Sequence, residues 1–147
     1  MNMSRILALD LGEKRIGVAV SDAMNIIAQA IGTIERRDIK SDIKKIAGLT
    51  KEYGASRIII GLPFNMSGSQ GKGCQQAIDF ANALKKEMPI DVEMVDERLT
   101  TAQGERVLIE ADLSRKKRRK NIDKLAAQLI LQGYLDSNTH NVQKNNS

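Results

Sequence analysis

Acidic residues lie at the ends of the elements that the sequence predicts, where carboxylates can share one site. In the segment LALDLGEKRIGVAVSD an apolar run leads straight into Asp10, and the last strand-like run of the chain ends on Asp96 and Glu97. Asp123 falls in the first turn of the last predicted helix. The carboxyl ends of parallel strands and the amino ends of the connecting helices meet at one edge of a sheet, so these acids are expected to converge there.

Asp10 is the acid that structure alone explains least readily. A carboxylate that ends a largely apolar strand costs desolvation free energy unless it is paired or binds a cation. Asp123 also has an ordinary structural explanation, because the helix dipole stabilises an acidic residue in a first turn. Asp22, in the turn after VAVS, is a further candidate ligand, although aspartates in turns are usually structural.

Any metal ion that these acids hold must be bound by oxygen. His140 is the only histidine and Cys74 the only cysteine, so one chain can build neither a Cys/His zinc site nor a disulfide framework. Carboxylate oxygens suit Mg2+ or Mn2+, and two such ions roughly 4 Å apart can activate water and neutralise a phosphate that is being cleaved. Cys74 lies on the apolar face of a predicted helix and is expected to belong to the core.

The positive charge of the chain is concentrated in one run of six residues. The formal net charge is +5, and this run carries six positive charges, so the rest of the chain is close to neutral. Such a run binds polyanions, nucleic acid among them, by releasing counterions, or else it is a solvated or targeting tract. Its members are Arg115, Lys116, Lys117, Arg118, Arg119 and Lys120.

Other residues beside the acids are candidates for contacts with phosphate. Lys14 and Arg15 occupy the turn after the first strand, and Arg98 follows Glu97. Otherwise the first two are ordinary turn charges, and Arg98 orients the neighbouring carboxylate or is an exposed residue at a strand end. The stretch GLPFNMSGSQG could approach a sugar-phosphate chain, but its spacing is not that of a Walker loop, and an irregular loop explains it equally well.

Three strands with short connections are predicted at the amino end of the sequence. RILALD and RIGVAVS are joined by LGEKR, in which Gly12 suits a tight turn, and IIAQAIGTI follows the turn DAMN. The apolar period then becomes helical over residues 39–53, and Gly54 is placed to end that helix. These segments predict an antiparallel meander followed by a helix.

The rest of the chain alternates strands and helices. RIIIGLP is a continuous apolar run, typical of a strand covered on both faces, and IDVEMVDE alternates as a strand. A helix over 74–88 is predicted between them, and two helices follow, one from residue 100 or 101 to 111 and one from 121 to about 135. Helical crossovers make the later strands parallel to a neighbour.

The predicted fold is α/β, with a mixed five-stranded sheet of three antiparallel and then two parallel strands, and with helices on both faces. A chain of 147 residues has room for one such domain, expected over residues 1–136, and the polar residues 137–147 are expected to form a disordered tail. No apolar run approaches the roughly 18 residues of a membrane span, and no signal-peptide core is found, so the expected location is the cytoplasm.

Four stretches closely resemble, in order and spacing, the signature blocks of the YqgF/RuvX family. They are LDLGEKRIGVAVSD, IIIGLPFNMSGSQG, VDERLTTAQ and NIDKLAAQLIL, and together they span most of the predicted domain. Members of this family are described as Holliday junction resolvases and as pre-16S rRNA nucleases. The resemblance implies an RNase H-like nuclease domain in the bacterial cytoplasm, divalent-metal-dependent hydrolysis of phosphodiester bonds, and a role in maturing the 5′ end of small-subunit ribosomal RNA.

The same resemblance implies catalytic and metal-binding roles for Asp10, Glu97 and Asp123. In the last strand the alternation groups Asp96 with the apolar residues and places Glu97 on the opposite face. Both faces of the sheet are expected to be covered, so the pattern alone does not choose between the two acids. The resemblance favours Glu97, and Asp96 is the alternative ligand.

The expected partner is nucleic acid, with precursor rRNA favoured over branched DNA, in a monomer or homodimer without a membrane partner. Small-subunit assembly intermediates are further expected partners. One alternative is a junction resolvase, which works as a dimer because a junction needs two symmetric cuts. Another is a non-catalytic RNA-binding assembly factor. An ATPase or sugar-kinase-like protein is a third, although it would need a second domain around the nucleotide.

Overall fold

A mixed five-stranded sheet forms the centre of the described structure. The computed structural model describes residues 4–62, 72–96 and 125–137. β1 is antiparallel to β2 and parallel to β4, while β2 is antiparallel to β3 and β4 is parallel to β5. This arrangement confirms the predicted sheet. The strands are β1 (Arg5–Leu11), β2 (Arg15–Ser21), β3 (Ala28–Glu35), β4 (Ala55–Leu62) and β5 (Asp91–Asp96), in the order β3-β2-β1-β4-β5.

The described helices cover both faces of the sheet. α1 (Ile39–Tyr53) and α2 (Lys72–Glu87) pack on one face, and α3, residues 125–137, packs on the other. In β1, Leu7 and Leu9 belong to the core under α1 and α2, whereas Ile6 and Ala8 belong to the core under α3. A strand that is buried on both faces must be apolar throughout, which explains the continuous runs in β1 and β4.

α1 begins and ends at residues with specific backbone roles. Asp38 is its N-cap, and Oδ1 of Asp38 accepts the backbone N–H of Ser41 at 2.8 Å. Gly54 follows the last turn in the left-handed conformation, with φ 65°, which a residue with a Cβ adopts only at a cost. Its N–H donates to the carbonyl oxygen of Lys51 at 3.3 Å. The predicted helix over 39–53 and its end at Gly54 are therefore confirmed.

β3 begins two residues later than the apolar run IIAQAIGTI predicts. Oδ1 of Asp22 accepts the backbone N–H of Ile26 at 2.7 Å and of Ile27 at 3.1 Å. Asn25 adopts the left-handed conformation, with φ 57°. These contacts hold both isoleucines in the turn, where their side chains are exposed. The turn chemistry of aspartate and asparagine thus overrides the β propensity of the isoleucines.

Several predicted features lie outside the described residues. These are the helix from residue 100 or 101 to 111, the basic run, and positions 63–71 of GLPFNMSGSQG. α2 includes Cys74, but the side chain of Cys74 also lies outside the description. α3 agrees with the predicted last helix and continues through residue 137, the first residue of the predicted tail, whose other residues are not described. No helix in the described part of the chain is long and apolar enough to cross a membrane.

Hydrogen bonds from two glutamines define the direction of α3. The amide nitrogen of Gln132 donates to the carbonyl oxygen of Ile26 at 3.0 Å, and its oxygen accepts the N–H of Ala28 at 2.9 Å. Gln128, one turn earlier in α3, donates to the carbonyl oxygen of Ala28 at 3.2 Å. Gln128 lies nearer than Gln132 to the amino end of α3 and contacts a later point of the chain, so α3 runs antiparallel to β3. β3 in turn runs parallel to β1. The amino end of α3 consequently lies toward the edge of the sheet at which β1, β4 and β5 end.

A second polar contact holds α3 against β4 and β5. The hydroxyl of Tyr134 donates to Oε2 of Glu93 at 2.7 Å and accepts a hydrogen bond from Nη1 of Arg57 at 2.7 Å. Arg57 also lies 3.9 Å from the Glu93 carboxylate and 4.0 Å from the Asp91 carboxylate. The glutamines hold α3 near β3, at one end of the strand order, and Tyr134 holds it against β4 and β5, at the other end. Polar contacts at both ends therefore orient the helix across the sheet.

Tyr134→Phe is expected to lower the free energy of unfolding by about 1 kcal/mol, because Arg57 and Glu93 lose the hydroxyl that joins them. Urea denaturation measures this change. Tyr53→Phe is the matched control, since Tyr53 packs on the other core and no hydrogen bond of its hydroxyl occurs among the described residues. Equal losses in the two variants would show that the hydroxyl of Tyr134 has no specific role.

Candidate functional site

Asp10 is the one predicted metal ligand within the described residues. It precedes the last residue of β1, and its side chain is buried, with 8% of the residue exposed. Successive residues of a strand face opposite sides of the sheet, so Asp10 shares a face with Ile6 and Ala8, beneath α3. The carboxylate therefore lies at the carboxyl edge of the parallel strands, on the face that α3 covers.

Glycines flank Asp10 on both neighbouring strands. The Cα of Asp10 pairs with that of Gly17 in β2. In β4, Gly61 follows Ile60, which pairs with Leu9, so the register brings Gly61 next to Asp10. Neither neighbour has a side chain that would fill the space beside the carboxylate, and glycine within a strand often marks a place where a ligand approaches closely. Sequence reasoning missed Gly17, although it interrupts an otherwise apolar strand, whereas Gly61 begins the stretch GLPFNMSGSQG, a candidate for a close approach to a sugar-phosphate chain.

The register of β5 separates Asp96 from Glu97. Val92 and Met94 pack on the core under α1 and α2, whereas Val95 packs on the core under α3, and Glu93 bonds to Tyr134 of that helix. Continued to the end of the strand, this alternation would give Asp96 the register position of the first pair, although the side chain of Asp96 lies outside the described residues. Glu97 lies outside the described residues. The next step of the alternation would bring it to the face of Asp10.

Asp123 also lies outside the described residues, two positions before the described start of α3. The chain enters α3 at the edge of the sheet where β1 ends, because α3 runs antiparallel to β1. The amino end of that helix packs over the face that carries Asp10, where Ala127 belongs to the same core as Ala8. The path of the chain is therefore compatible with a contribution of Asp123 to a site at Asp10.

The turn between β1 and β2 carries the two basic residues predicted to contact phosphate. The N–H of Gly12 donates to the carbonyl oxygen of Arg15 at 2.9 Å, as expected for the tight turn predicted there. Lys14 is exposed and Arg15 is half-buried. Both residues follow Asp10 closely, at the same edge of the sheet. Arg98 and the run Arg115–Lys120 lie outside the described residues.

Asp22 is not placed to complete the site. β2 runs antiparallel to β1, and Oγ of Ser21, at the end of β2, accepts the N–H of Ile6 at 2.8 Å. Asp22 therefore lies near the start of β1, about 13 Å along the strand from Asp10 at 3.3 Å per residue. Its carboxylate caps the turn before β3, and the backbone N–H groups of Ile27 and Ile26 lower its pKa. These contacts favour a structural role for Asp22 in the turn over a role as a metal ligand.

A buried acid on α1 escaped the sequence reasoning. Asp42 is 1% exposed; its Oδ1 accepts the N–H of Arg37 at 3.1 Å and its Oδ2 lies 3.9 Å from Nε of Arg36. Asp42 lies one turn before Ile46, on the flank of the apolar stripe of the helix, and this spacing could have indicated its burial. Arg36 in turn donates from Nη1 to the carbonyl oxygen of Gly12 at 2.8 Å, which ties α1 to the turn beside Asp10.

The donor chemistry at Asp10 fits a hard divalent cation. Within the described ranges no three histidine, cysteine or acidic side chains come together as a metal site. Asp10 itself supplies a buried carboxylate beside two glycines, and the two other candidate ligands are also carboxylates. An all-oxygen donor set of this kind suits Mg2+ or Mn2+ rather than zinc or copper.

The sequence matches one protein family and many of its members. Residues 4–137 match the model of RuvX, described as Holliday junction resolvase. The chain is 50% identical over 143 residues to a protein of Natranaerobius thermophilus named "Putative pre-16S rRNA nuclease", covering 97% of this chain and 99% of that protein. A protein of the same name from Clostridioides difficile is 52% identical over 132 residues, covering 90% of this chain and 94% of that protein.

Solved structures of junction resolvases share the fold. T. thermophilus RuvC in complex with Holliday junction substrate has a TM-score of 0.56 and 10% identity, covering 92% of this chain and 96% of that one. The yeast mitochondrial Holliday junction resolvase Ydc2 has a TM-score of 0.57 and 13% identity, covering 91% of this chain and 78% of that one. These similarities confirm the expected RNase H-like fold.

Asp22→Asn is expected to lower Tm at pH 7 and to lower it less at about pH 3. Because the pKa of Asp22 is lowered in the folded protein, its charge stabilises the fold above the ordinary aspartate pKa of about 4, and this contribution fades as the pH falls through the lowered value. Thermal unfolding at both pH values measures it. Asp79→Asn, at an exposed position of α2, is the matched control and should change Tm little. A loss of equal size at both pH values would contradict the assignment.

Proposed function

We infer the function from one premise: the chain belongs to the RuvX family of Holliday junction resolvases. It is a nuclease, a hydrolase that acts on ester bonds. We propose that its substrate is precursor 16S rRNA, for which the relatives at about half identity are named. Those relatives match over nearly their whole length, whereas the junction resolvases of known structure share only the fold. Sequence similarity therefore favours RNA over branched DNA.

The proposed site consists of Asp10, Glu97 and Asp123, which would hold Mg2+ or Mn2+. The observation that carries it is the placement of Asp10, buried at the carboxyl edge of β1 between two glycines. The alternation of β5 supports Glu97 over Asp96, because it leads toward the face of Asp10. The direction of α3 supports Asp123, because the chain enters that helix from the same edge.

The side chains divide the work of hydrolysis. When bound, a divalent ion would supply activation of water and neutralisation of the phosphate that is cleaved. Asp10 contributes a negative charge that its buried position keeps from bulk water, which strengthens its attraction for a cation. Lys14 and Arg15, in the turn after Asp10, are placed to hold the phosphodiester backbone beside the site. We propose the basic run Arg115–Lys120 as a further anchor for the backbone, away from the cut.

Two alternatives share these residues but differ in outcome. A resolvase of branched DNA would need a dimer, since two symmetric cuts are required, whereas trimming an RNA end needs one site. A non-catalytic assembly factor would bind RNA, or assembly intermediates of the small ribosomal subunit, without hydrolysing it. The fold shared with RuvC and Ydc2 is the observation that favours the first alternative.

Asp10→Asn is expected to reduce cleavage of precursor rRNA by about 100-fold or more, because even a residue that only supports a metal ligand is worth 10- to 100-fold. The assay uses an end-labelled RNA with the precursor 5′ sequence in Mn2+, Mg2+ or EDTA, with a four-way DNA junction in parallel. Asp22→Asn is the matched control, with the same chemical change in a turn at the opposite edge of the sheet, and it should keep full activity.

Each outcome of this assay selects one function. Metal-dependent cleavage of the RNA that is lost only in Asp10→Asn supports the proposal, and preference for the junction supports the resolvase. RNA binding without cleavage by any of the proteins would identify the assembly factor. Glu97→Gln and Asp96→Asn complete the set, because the alternation of β5 predicts a loss of activity in the first and little change in the second.

Neutralising four of the six residues of the basic run is expected to weaken RNA binding and to flatten its salt dependence, since each lost phosphate contact lowers the slope of log K against log salt by about 0.7 for a single strand. Binding measured at several salt concentrations tests this. A variant with an unchanged slope would remove the run from the path of the substrate.

A further inference from the structure

A stripe of exposed positive charge runs from the turn beside Asp10 onto α1. Lys40 and Lys44 lie one turn apart on α1, and Arg37 directly precedes the N-cap Asp38. All three are exposed, as is Lys14 in the turn. Among the described residues no ion pair engages any of these side chains. We call this set the basic stripe, and its members are Lys14, Arg37, Lys40 and Lys44.

The stripe is electrostatically unfavourable in the protein alone. Lys40 and Lys44 are one turn apart on α1, and like charges at this spacing destabilise a helix. Lys40 is also the second residue of α1, where the positive end of the helix dipole disfavours a cation. Glu13, Glu35 and Asp38 are exposed acidic neighbours of the turn and of the start of α1, but no acidic residue stands three or four positions from Lys40 or Lys44. A polyanion bound along this side would relieve the repulsion, which water and salt only screen.

The surface that carries the stripe is rigidly assembled. The N–H of Arg36 donates to the carbonyl oxygen of Lys14 at 2.9 Å, and its guanidinium donates to the carbonyl oxygen of Gly12 at 2.8 Å. Asp42, a buried residue in the first turn of α1, holds Arg36 through its carboxylate and accepts the N–H of Arg37. The turn and the start of α1 are thus one unit, so a ligand that binds across both pays little to order them.

The stripe is continuous with the proposed active site. β3 runs parallel to β1, so its end at Glu35 and the start of α1 lie at the same edge of the sheet as Asp10. A cavity of about 470 Å3 opens between this junction and α2, and its charged lining consists of Arg36 and Arg37 with the acids Glu13, Asp38, Asp42 and Asp79, so the cavity itself is not basic. A polyanion that crosses the turn from Asp10 would therefore pass from Lys14 to the exposed side of α1 rather than enter this cavity.

We propose that the basic stripe binds the phosphodiester backbone of single-stranded RNA that extends from the active site across the turn onto α1. The inference rests on the proposed function, since it takes the substrate to be RNA cut at Asp10. It adds a second contact surface on the face of the sheet opposite to Asp10. The stripe would contact phosphates, so it would contribute to the affinity for RNA and to the direction in which the RNA chain leaves the site, rather than to base specificity.

The test measures binding rather than cleavage. In an Asp10→Asn background with EDTA, the affinity for a fluorescent single-stranded RNA is measured by anisotropy at several salt concentrations. Lys40→Glu with Lys44→Glu is compared with Lys85→Glu with Lys86→Glu, which makes the same change of charge on exposed residues in the last turn of α2. α2 ends shortly before β5 begins, so this control lies at the edge of the sheet opposite to Asp10.

The stripe variant is expected to bind RNA about tenfold more weakly at 0.1 M salt, with a salt slope lower by about 1 to 2, while the control stays within about twofold. Its Tm should be equal or higher, because the change replaces a cation with an anion at the second residue of α1, near the positive end of the helix dipole, while positions 40 and 44 still carry like charges. Equal losses in the two variants, or no loss in the stripe variant, would overturn the proposal. A parent protein that binds RNA through the stripe but never cleaves it would overturn the nuclease assignment alone.

Discussion

The burial of the Asp10 carboxylate is the constraint on which the rest of the site depends. The strand that carries it is covered on both faces, so the charge is removed from most of the solvent, and such a charge is costly unless other groups compensate it. A carboxylate in this setting attracts a cation more strongly than one in water does. The glycines on both neighbouring strands add no side chain beside the carboxylate, and glycine within a strand often marks a place where a ligand approaches closely.

Hydrogen bonds at both ends of the strand order determine how α3 lies over the face that carries Asp10. The apolar contacts of this helix bury Ala127, Ile130 and Leu131, but apolar packing alone has little directional preference. The hydrogen bonds of Gln128 and Gln132 on one side and of Tyr134 on the other supply direction. They are separated across the sheet, so together they set the angle at which the helix approaches the edge where Asp10 lies.

Much of this fold could be predicted from the sequence because its signals are local. The meander, α1 with its end at Gly54, and the doubly covered β4 follow from turn residues and apolar periodicity. The start of β3 was predicted two residues early, because Asp22 and Asn25 act through turn geometry rather than hydrophobicity. The proposal of Glu97 rather than Asp96 draws on the cores that Val92, Met94 and Val95 enter. Periodicity reports two faces but does not say which one holds Asp10.

The carboxylates of the proposed site give a reason why a separate basic surface would help a nuclease of this kind to bind RNA. The proposed set of carboxylates would repel a phosphodiester chain until cations are bound, so this edge alone would bind RNA poorly. Positive side chains on the neighbouring turn offset this repulsion without entering the coordination of the metal. Arg36 serves this arrangement from within: paired with buried Asp42, it adds no free charge, yet it fixes the carbonyl groups of Gly12 and Lys14. The turn beside Asp10 thereby joins the face that carries the proposed carboxylate site to the face that carries the basic stripe, and a substrate that contacts both would cross it there.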